Sequence, residues 1–254
     1  MIRDQVTYSV IRGFRPLLLD LYLPDGVDRP PLVVWIHGGS FHSGDRRWLH
    51  RTFPRGSVFT TLTEAGIACA SIDYRLSGEA TWPAQGEDVA AAIAFLRTHA
   101  DEYGFDPDRL ATWGDSAGGH LALMAGMTNA HVKAVVAWYP ITDIATMPDL
   151  GNEDFYSPWL GCWPSTTPER AAQASPITHV PPDAPPCLLV HGDADTLVPA
   201  TQSQRMHAKL TEAGADSTLR IVPGAEHGFE GHSDMSGLIT DSVAYLAARL
   251  GLTR

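Results

Sequence analysis

The stretch Gly114-Asp115-Ser116-Ala117-Gly118 sets a serine between glycines two residues away on either side. It follows the apolar run Leu110–Trp113 and precedes a helical pattern over Ala117–Met127. This is the G-x-S-x-G arrangement in a strand–turn–helix context, where a tight turn holds a hydroxyl clear of its own backbone at the sheet edge. A serine hydroxyl is a weak nucleophile alone; it needs a base, and the base needs a carboxylate to orient it and stabilise its charged form. Two later loops offer these groups. His191-Gly192-Asp193-Ala194-Asp195-Thr196-Leu197-Val198-Pro199 follows the apolar run Cys187–Val190, and Pro223-Gly224-Ala225-Glu226-His227-Gly228-Phe229 follows Leu219–Val222. Asp195 is favoured as the acid, because Asp193 lies close enough to the strand end to serve as a turn former. His227 is favoured over His232, because it follows the strand directly and Gly228 lets the chain turn away. A fourth stretch, Trp35-Ile36-His37-Gly38-Gly39-Ser40-Phe41, follows an apolar strand, and its glycines let backbone N–H groups point into a cleft. Such donors bind the oxyanion of a tetrahedral intermediate. The N–H of Ala117 would be the elbow's own contribution, and His37 reads as an organiser of its loop.

Positioning these residues requires a sheet. Apolar runs of strand length recur at Leu32–Ile36, Ile67–Ile72, Leu110–Trp113, Val132–Trp138, Cys187–Val190 and Leu219–Val222. Helical patterns over Ala84–His99, Ala117–Met127, Ala200–Ala213 and Ser236–Leu250 lie between or after them. Continuous apolar strands alternating with amphipathic helices indicate a doubly wound, mostly parallel sheet covered on both faces. Gln5–Ile11 and Leu17–Leu23 alternate more, with Gly13 and Pro16 between them, and read as an antiparallel hairpin on the sheet edge. From Asp143 to Pro186 the chain is rich in Pro, Trp, Asp and Gly, with at most one short helix at Pro168–Ala174. That is too long for an ordinary connection. The expectation is one domain, residues 1–254, with a small cap-like insertion over about 143–186. Phe155, Tyr156, Trp159 and Trp163 would supply its aromatic wall, joined by Phe41.

Composition narrows the partners. The 254 residues carry a net charge of −11, against nucleic acid or an anionic membrane surface. No apolar run reaches a membrane span and the N-terminus has no long apolar segment, so a soluble, cytoplasmic protein is expected. Cys69 and Cys187 sit inside apolar runs and read as buried small hydrophobes. Eleven histidines do not form a metal-binding spacing on a predicted helix, so no metal and no cofactor is expected. Asp106-Pro107-Asp108-Arg109 reads as the lead-in to the elbow strand. Asp45-Arg46-Arg47 reads as a solvated turn, with an acidic group of a substrate as the alternative partner for Arg46 or Arg47.

Taken together, HGGSF at 37–41, Asp73-Tyr74-Arg75-Leu76 with Glu79 and Trp82-Pro83-Ala84, GDSAGGHLA at 114–122, HGDADTLVP at 191–199 and EHGF at 226–229 resemble the bacterial esterase/lipase group of the α/β-hydrolase fold. The hormone-sensitive-lipase-like carboxylesterases and their smaller relatives are the nearest match. The resemblance implies Ser116 as nucleophile, Asp195 as acid and His227 as base. It also implies oxyanion donors at Gly39 and Ser40 beside Ala117. Ser40 stands where the family usually has a third glycine, and YRLSGE replaces the usual YRLAPE. The short stretch ahead of His37 leaves access to be shaped by the 143–186 segment. The expected activity is hydrolysis of a small-molecule carboxylic ester of short to medium acyl chain through an acyl-enzyme, by a monomer or homodimer. Amide or formamide hydrolysis on the same scaffold, and a catalytically silent binding homologue, are the competing expectations.

Overall fold

The computed structural model describes residues 1–147 and 157–252. Eight strands form one sheet: β1 (Ile2–Ser9), β2 (Leu17–Tyr22), β3 (Leu32–Ile36), β4 (Ala68–Ile72), β5 (Leu110–Asp115), β6 (Val132–Trp138), β7 (Cys187–Gly192) and β8 (Ser217–Val222). Their order is β1-β2-β4-β3-β5-β6-β7-β8. From β4 to β8 all neighbours are parallel, while β1 on β2 and β2 on β4 are antiparallel. This is the doubly wound α/β-hydrolase arrangement with an antiparallel hairpin at one end.

The helices are α1 (Ser57–Glu64), α2 (Ala84–Thr98), α3 (Ala100–Tyr103), α4 (Ala117–Thr128), α5 (Ser157–Leu160), α6 (Pro168–Gln173), α7 (Thr201–Glu212) and α8 (Met235–Arg249). Because strand side chains alternate between faces, β3 sends Val33 and Trp35 to the α1/α8 side, and Leu32, Val34 and Ile36 to the side of α2, α4 and α7. Trp35, Trp113 and Trp138 of three adjacent strands pack edge to face at 5.4 and 5.1 Å between ring centroids. Trp138 Nε1 donates to Ser242 Oγ of α8 at 3.1 Å, so this aromatic row also fixes the last helix.

Two helices outside the 143–186 segment were not anticipated. α1 buries only Val58, Phe59 and Leu62 in a threonine-rich octet, too short a pattern to register as a helical period. α3 is a single turn appended to α2. The 143–186 segment is also more ordered than one short helix. Besides α6, its described part holds α5 and 3₁₀ turns at Ile144–Thr146, Pro164–Thr166 and Pro176–His179. It is tied to the rest of the molecule at Trp82, whose N–H donates to the Trp159 carbonyl at 2.7 Å and whose carbonyl accepts from the Arg170 guanidinium at 2.6 Å; the same guanidinium donates within the segment to the Leu160 carbonyl, also at 2.6 Å.

The register positions the site. Ile36 at the end of β3 lies beside Gly114 of β5, so the loop after β3 and the turn after β5 emerge together. Gly192 of β7 likewise pairs with Val222 of β8, bringing together the two loops that hold Asp195 and His227.

Candidate active site

Ser116 sits at φ 52°, ψ −118°, a left-handed conformation uncommon for a residue with a side chain. The flanking glycines are required by backbone, not by flexibility. A Cβ on Gly118 would stand 2.0 Å from the Ile36 carbonyl oxygen, and one on Gly114 would stand 2.3 Å from the Gly118 carbonyl oxygen. Ser116 N–H donates to the Trp138 carbonyl at 2.9 Å, and His120 N–H donates to the Ser116 carbonyl at 3.0 Å, so the strained residue is clamped between β6 and the first turn of α4.

From Ser116 a hydrogen-bonded chain runs through the two later loops. Ser116 Oγ lies 3.0 Å from His227 Nε2, and His227 Nδ1 lies 2.8 Å from Asp195 Oδ2. A carboxylate oxygen can only accept, so Nδ1 carries the proton and Nε2 is free to receive one from the serine. Asp195 Oδ1 accepts from the N–H groups of Leu197 at 3.0 Å and Val198 at 2.8 Å. Burial pushes this carboxyl up, but His191, His227 and the Val198 N–H outweigh it and hold the group at about 2. Asp193, the other carboxylate of the loop, accepts from Gly224 N–H at 2.6 Å and so closes the turn between the two loops. His232 is half-buried, and its Nε2 faces the Asp234 carbonyl at 3.2 Å.

The loop after β3 presents its backbone to the same place. Gly39 has φ +103°, and its carbonyl accepts from His42 and Ser43 N–H, both at 2.9 Å, which curls the loop. The N–H groups of Gly39, Ser40 and Ala117 have no protein acceptor among the described residues. Beneath them His37 is fully buried and stacked on Tyr74 at 4.3 Å, with Tyr74 Oη donating to the His37 carbonyl at 2.9 Å. Burial lowers the His37 imidazole to about 4, so it is neutral and serves the loop.

Three residues of this site were not singled out from sequence. Asp115, the variable position of the serine motif, accepts from Gly38 N–H at 2.9 Å through Oδ1 and from Tyr139 Oη at 3.1 Å through Oδ2. It thereby ties the elbow to the loop after β3. Burial raises its carboxyl to about 6 against the pull of those two donors. Tyr139, at φ 37°, sets its ring edge to face with His227 at 4.8 Å. His191 is buried with Nδ1 2.7 Å from Ser203 Oγ, while Nε2 faces the Val198 carbonyl at 2.7 Å and Asp195 Oδ2 at 3.4 Å. Both of the latter are acceptors, so Nε2 carries the proton and the serine hydroxyl donates to Nδ1. His191 opens the HGDADTLVP stretch and Asp115 lies inside the serine motif, so both were within reach of sequence reading; Tyr139 gives no such signal.

The aromatic residues divide. Phe41 and Trp159 are fully buried and stacked on each other at 4.0 Å, with Trp82 and His120 around them. Trp159 Nε1 donates to Gln85 Oε1 at 3.1 Å. Trp163 stands at the surface, 42% exposed, and Phe155 and Tyr156 lie outside the described residues. Asp45 and Arg47 are exposed, as a solvated turn requires, while Arg46 turns inward. Arg46 is partly buried between Asp20 at 2.8 Å and Asp73 at 3.1 Å, and Arg47 binds Asp20 at 2.5 Å and Asp4 at 3.4 Å. Internal carboxylates have claimed both guanidinium groups.

Residues 19–210 match the BD-FAE family model, a span that includes the loop after β3, the elbow and Asp195. The chain belongs to the BD-FAE family. It is an α/β-hydrolase esterase family, in keeping with the serine-centred geometry. Esterase LipQ of Mycobacterium tuberculosis is 31% identical over 240 residues, covering 86% of this chain and 55% of LipQ. The acetyl esterase of Salmonella schwarzengrund is 26% identical, covering 93% of this chain and 76% of that enzyme. A truncated carbohydrate esterase from gut microbiota superposes with a TM-score of 0.87 at 29% identity, covering 99% of this chain and 96% of that one. The BD-FAE chain spans about half the length of the curated mycobacterial relatives it matches. Among the described residues, no helix is long and apolar enough to cross a membrane, and no group of three or more His, Cys, Asp or Glu could hold a metal ion.

Proposed function

We propose that this BD-FAE protein is a carboxylesterase for short acyl esters, working through an acyl-enzyme on Ser116. The observation that carries the reading is the continuous Ser116–His227–Asp195 chain at 3.0 and 2.8 Å on a strained elbow. In the acylation step Ser116 Oγ attacks the ester carbonyl while His227 Nε2 takes its proton. The oxyanion forms against the N–H groups of Gly39, Ser40 and Ala117, donors worth about 10²–10³ each in turnover. His227 then gives the proton to the leaving alcohol, and water repeats the sequence on the acyl-enzyme. Asp195 stays ionised throughout and stabilises the imidazolium.

Acyl size follows from Phe41 and Trp159. Their stacked, buried rings fill space next to the oxyanion loop, which supports acyl groups of about two to six carbons over long chains. An acetyl esterase and a carbohydrate esterase among the relatives make an acetylated sugar the natural ester to try first. The chain is read as one domain with 143–186 as its cap-like insertion, and as a cytoplasmic monomer or homodimer. A panel of chromogenic esters from acetate to palmitate, with aryl formamides and peptide anilides alongside, tests the activity. The reading expects the highest kcat/KM on short esters; a formamide or anilide turned over faster than every ester would replace it with amide hydrolysis.

A further inference from the structure

His227 sits on a loop whose backbone is strained. The two residues after it, Gly228 and Phe229, have φ +69° and +58°, consecutive left-handed conformations of which the second belongs to a phenylalanine. Such a loop persists only where its neighbours over-determine it. Phe229 is fully buried, edge to face with Trp138 at 5.2 Å and Tyr139 at 4.8 Å. Glu226 N–H donates to the Glu230 carbonyl at 2.9 Å and closes the loop on itself. These contacts fix the loop's far end but leave the Gly228 peptide, next to His227, to be held by something else.

That something comes from the segment after the oxyanion loop. Thr52 Oγ1 donates to the Gly228 carbonyl at 2.6 Å, across 176 positions of sequence. His50 Nδ1 lies 2.9 Å from Thr52 Oγ1. The carbonyl can only accept, so the threonine proton is spent on Gly228 and His50 Nδ1–H donates to the threonine oxygen; the Thr52 N–H contact with Nδ1, at 3.4 Å, is the weaker competitor. The imidazole itself presses on Gly228, where a Cβ would fall 2.2 Å from His50 Cε1. Arg51 pairs with Glu230 on the far side of the same loop. The segment is rigidly based: Arg46 N–H donates to Asp73 at 2.9 Å, its guanidinium pairs with Asp20 and Asp73, and its carbonyl accepts from Ser71 Oγ at 2.5 Å. Arg46 therefore anchors the base of this arm.

We infer that His50 and Thr52 form a brace that positions the catalytic histidine, by fixing the Gly228 peptide through the relay His50 Nδ1–H to Thr52 Oγ1–H to Gly228 C=O. Neither side chain touches a reacting atom; both act through His227. The inference rests on the esterase reading above. The brace comes from the strand-β3 side of the sheet and the histidine from the strand-β8 side, so it also links the oxyanion loop and the base loop as one unit.

The test uses Thr52→Val, which keeps the shape and removes the hydroxyl, beside Thr52→Ser, which keeps the hydroxyl. Thermal melting and near-ultraviolet circular dichroism monitor the fold. With p-nitrophenyl acetate, Thr52→Val should lower kcat about ten- to a hundredfold with KM little changed, the scale at which a displacement of an ångström or less acts. Thr52→Ser should restore most of it. The low-field proton resonance of His227 Nδ1–H should broaden or shift in Thr52→Val and return in Thr52→Ser, a readout that general loosening of the fold does not give. His50→Phe, which keeps a flat ring on Gly228 but no Nδ1–H, supplies a second reading even if Thr52→Val fails to fold; it too should lower kcat. Wild-type kcat and an unchanged low-field resonance in the folded variants would overturn the brace. Wild-type protein that turns over no ester would overturn the esterase reading instead, so the two failures are distinct.

Discussion

Asp195 uses its two oxygens for different ends. Oδ1 holds its own loop through the Leu197 and Val198 N–H groups, whereas Oδ2 faces the protonated nitrogens of two imidazoles, His227 and His191. Asp195→Asn keeps the first function, with the amide oxygen in place of Oδ1. It sets an NH₂ donor against two N–H donors on the other side, and His227 must then adopt the wrong tautomer. We expect a fall of about 10⁴ in kcat with the fold intact. Asp193→Asn retains an oxygen for Gly224 N–H and should leave turnover close to wild type. Steady-state kinetics of the two variants check this pair; a reversed order would mean that the roles are exchanged. The triad candidates were legible because each stands inside a short motif at a strand end. Asp115 stands inside a motif too, but its partner Gly38 lies 77 positions away, and Thr52 has neither a motif nor a near partner, since only the fold brings Gly228 to it across 176 positions.

At the scale of elements, the interior strands could be read almost to the residue. β3 and β6 coincide with apolar runs because both of their faces are covered, the one exception being the exposed Lys133 near the start of β6. β1 was harder: it starts at Ile2, three residues earlier than alternation suggested, because its first residues are exposed and bear no pattern of burial. The short helix α5 gave no sequence signal, yet it delivers Trp159 to Phe41. Trp159→Ala should remove a stacked, buried ring and leave a cavity beside the oxyanion loop, at a cost in stability of about 3–5 kcal/mol. The optimum acyl length should move upward. A chain-length series on the variant, read beside its melting temperature, tests both; an unmoved optimum would detach Trp159 from the acyl pocket. Trp163→Ala, on an exposed ring, should change neither.

For the whole molecule the site is also a pH-linked source of stability. Asp195 is held at about 2 in the folded protein, below the ordinary carboxylate value near 4. A depressed folded value means that its contribution is complete above about pH 4 and is lost as the pH falls toward 2; the size is on the order of 2 kcal/mol. Denaturant midpoints of wild type and Asp195→Asn should therefore differ most at neutral pH and converge toward pH 2. A gap that is constant across this range would show that Asp195 gains nothing from its partners. Asp115 has the opposite sign. Its carboxyl is raised to about 6 by burial, so its contribution is complete below about pH 4 and is lost as the pH rises through about 6, at the point where the elbow meets the loop after β3.

The whole account turns on one hydroxyl, and reaction with an aryl organophosphonate followed by peptide mass mapping interrogates it directly. The predicted result is one phosphonyl group per chain, on Ser116, with loss of ester turnover in step with labelling. Ser116→Ala should be neither labelled nor active. An adduct on another residue, or an alanine variant that still hydrolyses esters at the wild-type rate, would contradict the account.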